Sequence, residues 1–282
     1  VSGVEGVEVG TESMWKAAAD EDIPRAVVIT KLDRERSSYQ RTLAGLRDAF
    51  GKGIAPIHVP IGAERDLTGL ARVVNRSVYL YPEGELRGAL VDNVPENVRR
   101  DIEVAHVAVV ESAVETDEAL MERYFEGIEP DRAVIVRSVH QGMLRGDIYP
   151  VLISSGTRPL GIDLLADFLV EYGPSPLERP TPPLRSGELV LDPAAPTPGF
   201  VFKTVSDPFV GKISLFRVYS GSVSQEQVVE IAGRGTGRLH NLFHLHRKAH
   251  PPVSVLECGD VGAVAKTDEL VTGTTFRAPG SD

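Results

Sequence analysis

The apolar positions change their period along the chain. Between Gly10 and Asp20 they recur at helical spacing (Met14, Trp15, Ala18), with Thr11 placed to cap the first turn. Ile23-Pro24-Arg25 breaks that helix, because proline lacks the amide needed to continue it. Ala26-Val27-Val28-Ile29 is then an unbroken apolar run, the pattern of a parallel strand covered on both faces. A charged loop leads into a predicted helix from about Ser38 to Phe50, and Ile54 to Ile61 reads as the next strand, ending in Gly62. Strand, loop, helix and strand in this order form the βαβ rhythm of an α/β domain.

Residues 63–148 interrupt that rhythm. Val73 to Tyr81 predicts strands, and Pro95 to Phe125 predicts one or two helices rich in Glu, Asp and Val. Pro150 to Ser154 returns to a buried strand. Gly161 to Tyr172 follows as an amphipathic helix with Ile162, Leu164, Leu165, Phe168 and Leu169 on its apolar side. The simplest account is one α/β domain over residues 1–175 with an α+β subdomain, about 63–148, inserted between its last strands. Prolines 174, 176, 180, 182 and 183 then mark a linker over residues 176–185. Beyond it, Phe200 to Lys203, Ile213 to Val218, Val228 to Ile231 and Gly262 to Ala265 alternate at period two. Short strands so spaced predict an all-β barrel over about residues 186–278.

Composition narrows the class. The chain is 42% hydrophobic and 25% charged over 282 residues, and no uncharged apolar stretch is long enough to suggest a membrane span. Val1 to Gly10 carries Glu5 and Glu8 and no basic head, unlike a signal peptide. The single cysteine, Cys258, excludes an internal disulfide and a cysteine-built zinc site, and fits a cytoplasmic setting. Net charge is −10, all of it in the first part: 20 basic and 30 acidic side chains lie up to Arg179, and 10 of each follow. An electrostatic nucleic-acid clamp would be basic instead.

The strongest local chemistry is Thr30-Lys31-Leu32-Asp33, directly after the first buried strand. Ligand contacts in α/β folds cluster at that edge of the sheet. A carboxylate at Asp33 can accept paired hydrogen bonds from the N1–H and exocyclic amine of guanine, an arrangement adenine does not offer. Lys31 can lay its methylene stem along a base while its ammonium stays in water. The same four residues also read as a solvated loop with a helix-capping aspartate. Ile153-Ser154-Ser155-Gly156-Thr157 follows the later buried strand, and a loop of small residues there lets backbone amides approach a base oxygen closely. Together the two loops look like the N-K-x-D and S-A-x guanine-binding motifs of GTPases.

Several further segments carry a resemblance in fixed order. Val4-Glu5-Gly6-Val7-Glu8-Val9-Gly10-Thr11 resembles the segment after switch II in elongation factor G, and Ile23-Pro24-Arg25 through Asp33 its strand leading to N-K-x-D. Tyr124-Phe125-Glu126-Gly127 and Glu171-Tyr172-Gly173-Pro174-Ser175-Pro176 resemble the family's Y-L-E-G and D-Y-L-P-S-P. Asp207-Pro208-Phe209-Val210-Gly211-Lys212 through Gly221, Cys258 through Val264, and Thr272-Gly273-Thr274-Thr275 are similar to its second domain. The resemblance implies a partial P-loop-type GTPase domain with an inserted subdomain, then a β-barrel, from a GTP-dependent factor that acts on the ribosome.

It also implies site residues. Lys31 and Asp33 would read guanine with Thr30 in support, and Ser155 and Gly156, with Thr157, would hold the base oxygen of GTP or GDP. The implied partners are ribosomal RNA and the stalk proteins, the inserted subdomain facing the latter. Thr30 stands where the family has asparagine and Gly156 where alanine is usual; with the arginine-rich, lysine-poor usage, this looks like an elongation-factor-G-like paralogue. No G-x-x-x-x-G-K-[ST] occurs, nor a D-x-x-G with its following histidine. On that pattern the chain starts after switch II, its Mg²⁺ ligands lie outside it, and hydrolysis by this piece alone is not expected. A ribosomal-protection or release-factor-type GTPase shares the architecture, and a nucleotide-independent partner-binding module is the reading from another class.

Three other clusters attract notice. His240, His244, His246 and His250 suggest zinc by density, but strand alternation puts only some of them on one face, and an ordinary barrel strand and turn is expected. Cys258 has no histidine placed beside it by sequence and reads as a packed thiol. Glu111, Glu115, Asp117, Glu118 and Glu122 read as a solvated acidic face.

Overall fold

The computed structural model describes every residue except 179–180, 182–188, 190, 247–248 and 281–282. The chain divides into two units, Val1–Pro174 and Ser175–Asp282, each with its own hydrophobic core. Most of the linker expected over residues 176–185 lies outside the described residues; Pro176–Glu178 form a single 3-10 turn.

The first unit opens with α1 (Val9–Asp20), β1 (Val27–Ile29), α2 (Tyr39–Phe50) and β2 (Ile54–Pro56). Next come β3 (His58–Ile61), β4 (Gly69–Arg72), β5 (Ser77–Leu80) and β6 (Ala89–Val91). Helices α3 (Glu96–Val114), α4 (Glu118–Phe125) and α5 (Arg132–Arg145) precede β7 (Tyr149–Ile153) and α6 (Ile162–Tyr172). A three-stranded parallel sheet has the order β1-β7-β2, with Ile29 opposite Ile153 and Pro56 opposite Val151. Side chains alternate across it: Ile54, Val151 and Ile153 enter a core with α2 and the start of α6. Ala55 and Leu152 enter another, with α3, α5 and Phe168. Covering both faces explains why these strands read as continuous apolar runs.

The single strand expected from Ile54 to Ile61 splits at Ile57. β2 stays in the parallel sheet, whereas β3 begins a separate antiparallel sheet of order β3-β4-β5-β6. Pro56 and Pro60 cannot donate to a ladder, so the run cannot pair continuously along one sheet. Between Val73 and Tyr81 only β5 is strand; Val73 and Val74 are buried in the preceding turn. The acidic helical stretch is two helices, broken where Asp117 caps α4 through the amides of Ala119 and Leu120. Helix α5 is not among the predicted elements, although Asp131 caps it and Gly146, at φ 75°, ends it.

Helix α1 starts at Val9 with Glu8 as N-cap, not Thr11; Thr11 instead accepts the Glu8 amide at 3.4 Å. Met14 is exposed, contrary to the expected inner face, and α1 buries no residue. One aromatic holds it: Trp15 stacks on Phe50 at 4.0 Å, and the Arg25 guanidinium lies over the rings of Trp15 and Tyr149.

The second unit is all β: β8 (Pro198–Asp207), β9 (Gly211–Val218), β10 (Ser222–Ser224), β11 (Val228–Ile231), β12 (Gly235–Arg238), β13 (Leu242–Phe243), β14 (Val255–Glu257), β15 (Val261–Ala265) and β16 (Thr275–Arg277). Seven form one antiparallel sheet of order β12-β11-β16-β8-β9-β15-β13, and β10 pairs with β14. Val201, Phe216, Val223, Val229, Leu256 and Phe276, from both sheets, share one core, the packing of a small barrel. Gly199 is required there, since a side chain would meet the Phe276 ring at 2.1 Å.

Candidate functional site

The parallel register sets the geometry. With Ile29 opposite Ile153, the loops leaving β1 and β7 emerge side by side at the C-terminal edge of the sheet. The Ser154 amide continues the ladder by donating to Ile29 O at 3.1 Å. Asp33 and Ser155, 122 residues apart, are thereby brought into contact.

The first loop is firmly held. Between Lys31 and Asp33, Leu32 is buried and points inward; its carbonyl accepts from the Ser37 hydroxyl at 2.8 Å and the Glu64 amide at 3.0 Å. A buried residue between two outward ones is what turns Lys31 and Asp33 to the surface together. Lys31 adopts φ 60°, a conformation uncommon for a side-chain-bearing residue. Its ammonium lies 3.5 Å from Glu5 Oε2. Thr30 is engaged on the other side: its amide donates to Val1 O at 2.8 Å, its carbonyl accepts from Gly3, and its hydroxyl lies 3.4 Å from Val1 O.

The second loop closes on Asp33. Ser155 is 2% exposed, and its hydroxyl donates to Asp33 Oδ1 at 3.1 Å; the Thr157 hydroxyl donates to Asp33 Oδ2 at 3.0 Å. Each carboxylate oxygen has two lone pairs, so these bonds orient the group while leaving an acceptor direction free on each oxygen. A planar donor pair on a base edge needs that arrangement. Gly156 is exposed at the loop tip, and a side chain there would meet no heavy atom within 4 Å. Ser155 N–H is taken by Leu160 O at 2.9 Å, which leaves the Gly156 and Thr157 amides as the loop's donors toward a ligand. Gly161, at φ 76°, starts α6 against the Ile153 carbonyl, where a Cβ would lie 2.6 Å from that oxygen.

All six residues expected from sequence thus sit on two adjoining loops: Asp33, Ser155 and Thr157 are hydrogen-bonded to one another, whereas Thr30 bonds to Val1 and Gly3, Lys31 faces Glu5, and Gly156 stands open. The sequence reading missed the anchors behind the first loop, Ser37 and the Glu64 amide, which both bond to Leu32 O. The other clusters do not converge. His240 pairs with Glu226 at 2.8 Å, His244 lies 3.3 Å from Val261 O, and His250 packs on Phe243. Among the described residues no three His, Cys, Asp or Glu side chains are placed to hold a metal. The Cys258 thiol donates to Tyr219 O at 3.1 Å, and burial pushes its pKa up.

A parallel α/β unit of this kind with an antiparallel insertion, followed in sequence by a barrel-type β unit, defines a GTPase-type domain joined to a β-barrel. The chain belongs to the elongation factor Tu GTP-binding domain family, whose model matches residues 1–175, and residues 196–278 match elongation factor G domain 2. It is 30% identical to elongation factor G of Mycoplasma pneumoniae, over 96% of this chain and 40% of that protein. It is 32% identical to the elongation factor G-like protein of Mycobacterium tuberculosis, over 98% of this chain and 41% of that one. A crystal structure of a Thermus thermophilus protein superposes with a TM-score of 0.86 at 32% identity, covering 100% of this chain and 40% of its own. The chain therefore spans about two fifths of the length of these relatives. Among the described residues no helix is long and apolar enough to cross a membrane.

Proposed function

We propose that this chain supplies the base-reading side of the guanine-nucleotide site of a translation factor that acts on the ribosome. Asp33 accepts the guanine N1–H and exocyclic amine, and Lys31 lies along the base. The backbone amides of Gly156 and Thr157 meet the base oxygen, Ser155 and Thr157 fix the Asp33 carboxylate, and Thr30 braces the loop. The observation that carries this reading is the half-exposed Asp33 carboxylate, held by one hydroxyl on each of its oxygens. GTP or GDP fits that donor set at its base end. The phosphates and Mg²⁺ require a phosphate loop, for which this sequence has no matching motif, so no hydrolytic step is assigned to its residues.

The inserted subdomain offers the partner surface. Glu111, Glu115, Asp117, Glu118 and Glu122 lie along α3, α4 and the turn between them, an acidic face suited to a basic region of a ribosomal stalk protein.

The test is Asp33→Asn in the intact factor, titrated calorimetrically with GDP, XDP and ADP. Guanine affinity is expected to fall about a hundredfold, with XDP gaining, because an amide presents a donor to the second carbonyl of xanthine. Unchanged GDP affinity in the variant removes Asp33 as the base reader. Tight, guanine-selective binding by this chain alone would show that its own residues hold the phosphates.

A further inference from the structure

The parallel sheet runs out of strand just where the second loop begins. β2 ends at Pro56, and the last ladder bond on its side is Ile57 N–H to Val151 O at 2.9 Å. From there the chain turns into the antiparallel sheet. Amides along β7 alternate sides: Ser154 N–H goes to β1, so Ile153 N–H faces the side that β2 has left. A buried amide without an acceptor is costly. Its acceptor is a side chain: His58 Nδ1 lies 3.3 Å from Ile153 N.

His58 is 1% exposed, and its carbonyl is tied by the Tyr39 hydroxyl at 3.0 Å, at the start of the helix that follows the first loop. Because an amide N–H donates to it, Nδ1 carries no proton. Burial, with the Arg72 guanidinium adding to it, lowers the pKa to about 4 against the opposing pulls of the backbone hydrogen bond with Ile153 and of Asp163.

We propose that His58 is a positioning residue for the base loop: its unprotonated Nδ1 stands in for the missing strand carbonyl at Ile153 and so fixes Ser154–Thr157 at the depth where Ser155 meets Asp33. The proposal rests on the reading of Asp33 and Ser155 as base-site residues, but its mechanical part stands on geometry alone. No charge, no ligand contact and no proton transfer is asked of the ring.

Two measurements test it. In the wild-type protein, imidazole ¹⁵N spectra at neutral pH are expected to show His58 with Nδ1 bare and Nε2 protonated; a protonated Nδ1 overturns the proposal. In the intact factor, His58→Leu is expected to speed amide exchange at Ile153–Thr157 and weaken GDP binding about tenfold. His58→Asn, whose Oδ1 can take the place of Nδ1, is expected to restore both. Equal loss in the two variants, or no change in exchange at Ile153 in His58→Leu, overturns it. Asp33→Asn measured alongside separates the failures: should that variant keep its GDP affinity, the base-reading assignment falls, while exchange at Ile153 still decides the role of His58.

Discussion

The two loops at the edge of the parallel sheet and the histidine-rich stretch of the β unit are equally conspicuous as sequence, and they turn out opposite in structure. Asp33 and Ser155 are 122 residues apart yet share a hydrogen bond, because one parallel register delivers both loops to the same edge. His240, His244, His246 and His250 lie close together in sequence and disperse to Glu226, to Val261 O, to a backbone pairing with Ala249, and to the Phe243 ring. Nearness in sequence says little about convergence in an antiparallel β unit, where each strand turns alternate side chains away from each other. Order of motifs on a βαβ frame says much more, because the frame itself aligns them.

The comparison breaks most severely if the frame is damaged. Gly161→Val places a Cβ against the Ile153 carbonyl and Leu70 at a left-handed backbone position. A loss of about 3–4 kcal/mol is expected from strain and clash together, measured by urea unfolding followed on the first unit. No single histidine replacement in the barrel stretch should approach that.

Acid is the next largest lever, and it acts through the buried His58. His58 has its pKa lowered to about 4 in the fold, against 6.5 for an exposed histidine. Between those values the unfolded chain binds the proton and the folded chain does not. Stability from this group is therefore full above about pH 6.5 and is lost as pH falls toward 4. The difference in unfolding free energy between wild type and His58→Asn, which cannot titrate, should shrink by about 3 kcal/mol across that window. A difference that stays flat with pH would show that native His58 takes up its proton as readily as the unfolded chain does.

Within the site, Ser155→Ala should cost more than Thr157→Val. Ser155 is buried and its bond to Asp33 is shielded, whereas Thr157 is exposed and water can replace its hydroxyl. About tenfold and about threefold losses of GDP affinity are expected, with a double variant worse than their product because both bonds hold one carboxylate. In the barrel, by contrast, added zinc should leave the melting temperature unmoved both in the wild type and in the His244→Gln/His250→Gln double variant. A zinc-dependent rise that the double variant abolishes would contradict the dispersed arrangement of those side chains.

What the sequence made legible follows the same division. The βαβ order and the placing of the two loops at one sheet edge could be read because each depends on local pattern: a doubly buried strand, a K-x-D, a small-residue loop. The roles given to their six residues came from the resemblance and await the titrations proposed for Asp33. The split at Ile57 could not, because a short, mostly apolar run does not reveal which of two sheets each half joins; Pro56 and Pro60 were the available hint. The place of His58 was hidden for a related reason. Its role is to receive an amide that only the departure of β2 leaves unpaired, and that vacancy exists in the topology, not in any motif. Helix α5 was the avoidable omission, since Asp131, Val134, Ile135, Val139, Met143 and Gly146 spell a cap, an apolar face and a stop.

The smallest expected effect is at Gly156, and its smallness is informative. Glycine in such a loop often signals a backbone that tolerates no side chain, and the resemblance to S-A-x, which implies alanine here, raises the question of whether the loop has been remade. The structure argues that it has not. Gly156 is exposed, its backbone is not in the left-handed region, and a Cβ would meet nothing within 4 Å. Gly156→Ala should therefore change stability by no more than about 0.5 kcal/mol, tending to a gain because the unfolded chain loses freedom. GDP affinity should stay within about twofold. A tenfold loss would mean that the base approaches this backbone more closely than the free loop suggests, and would move the weight of recognition from the Asp33 carboxylate toward the amides of Gly156 and Thr157.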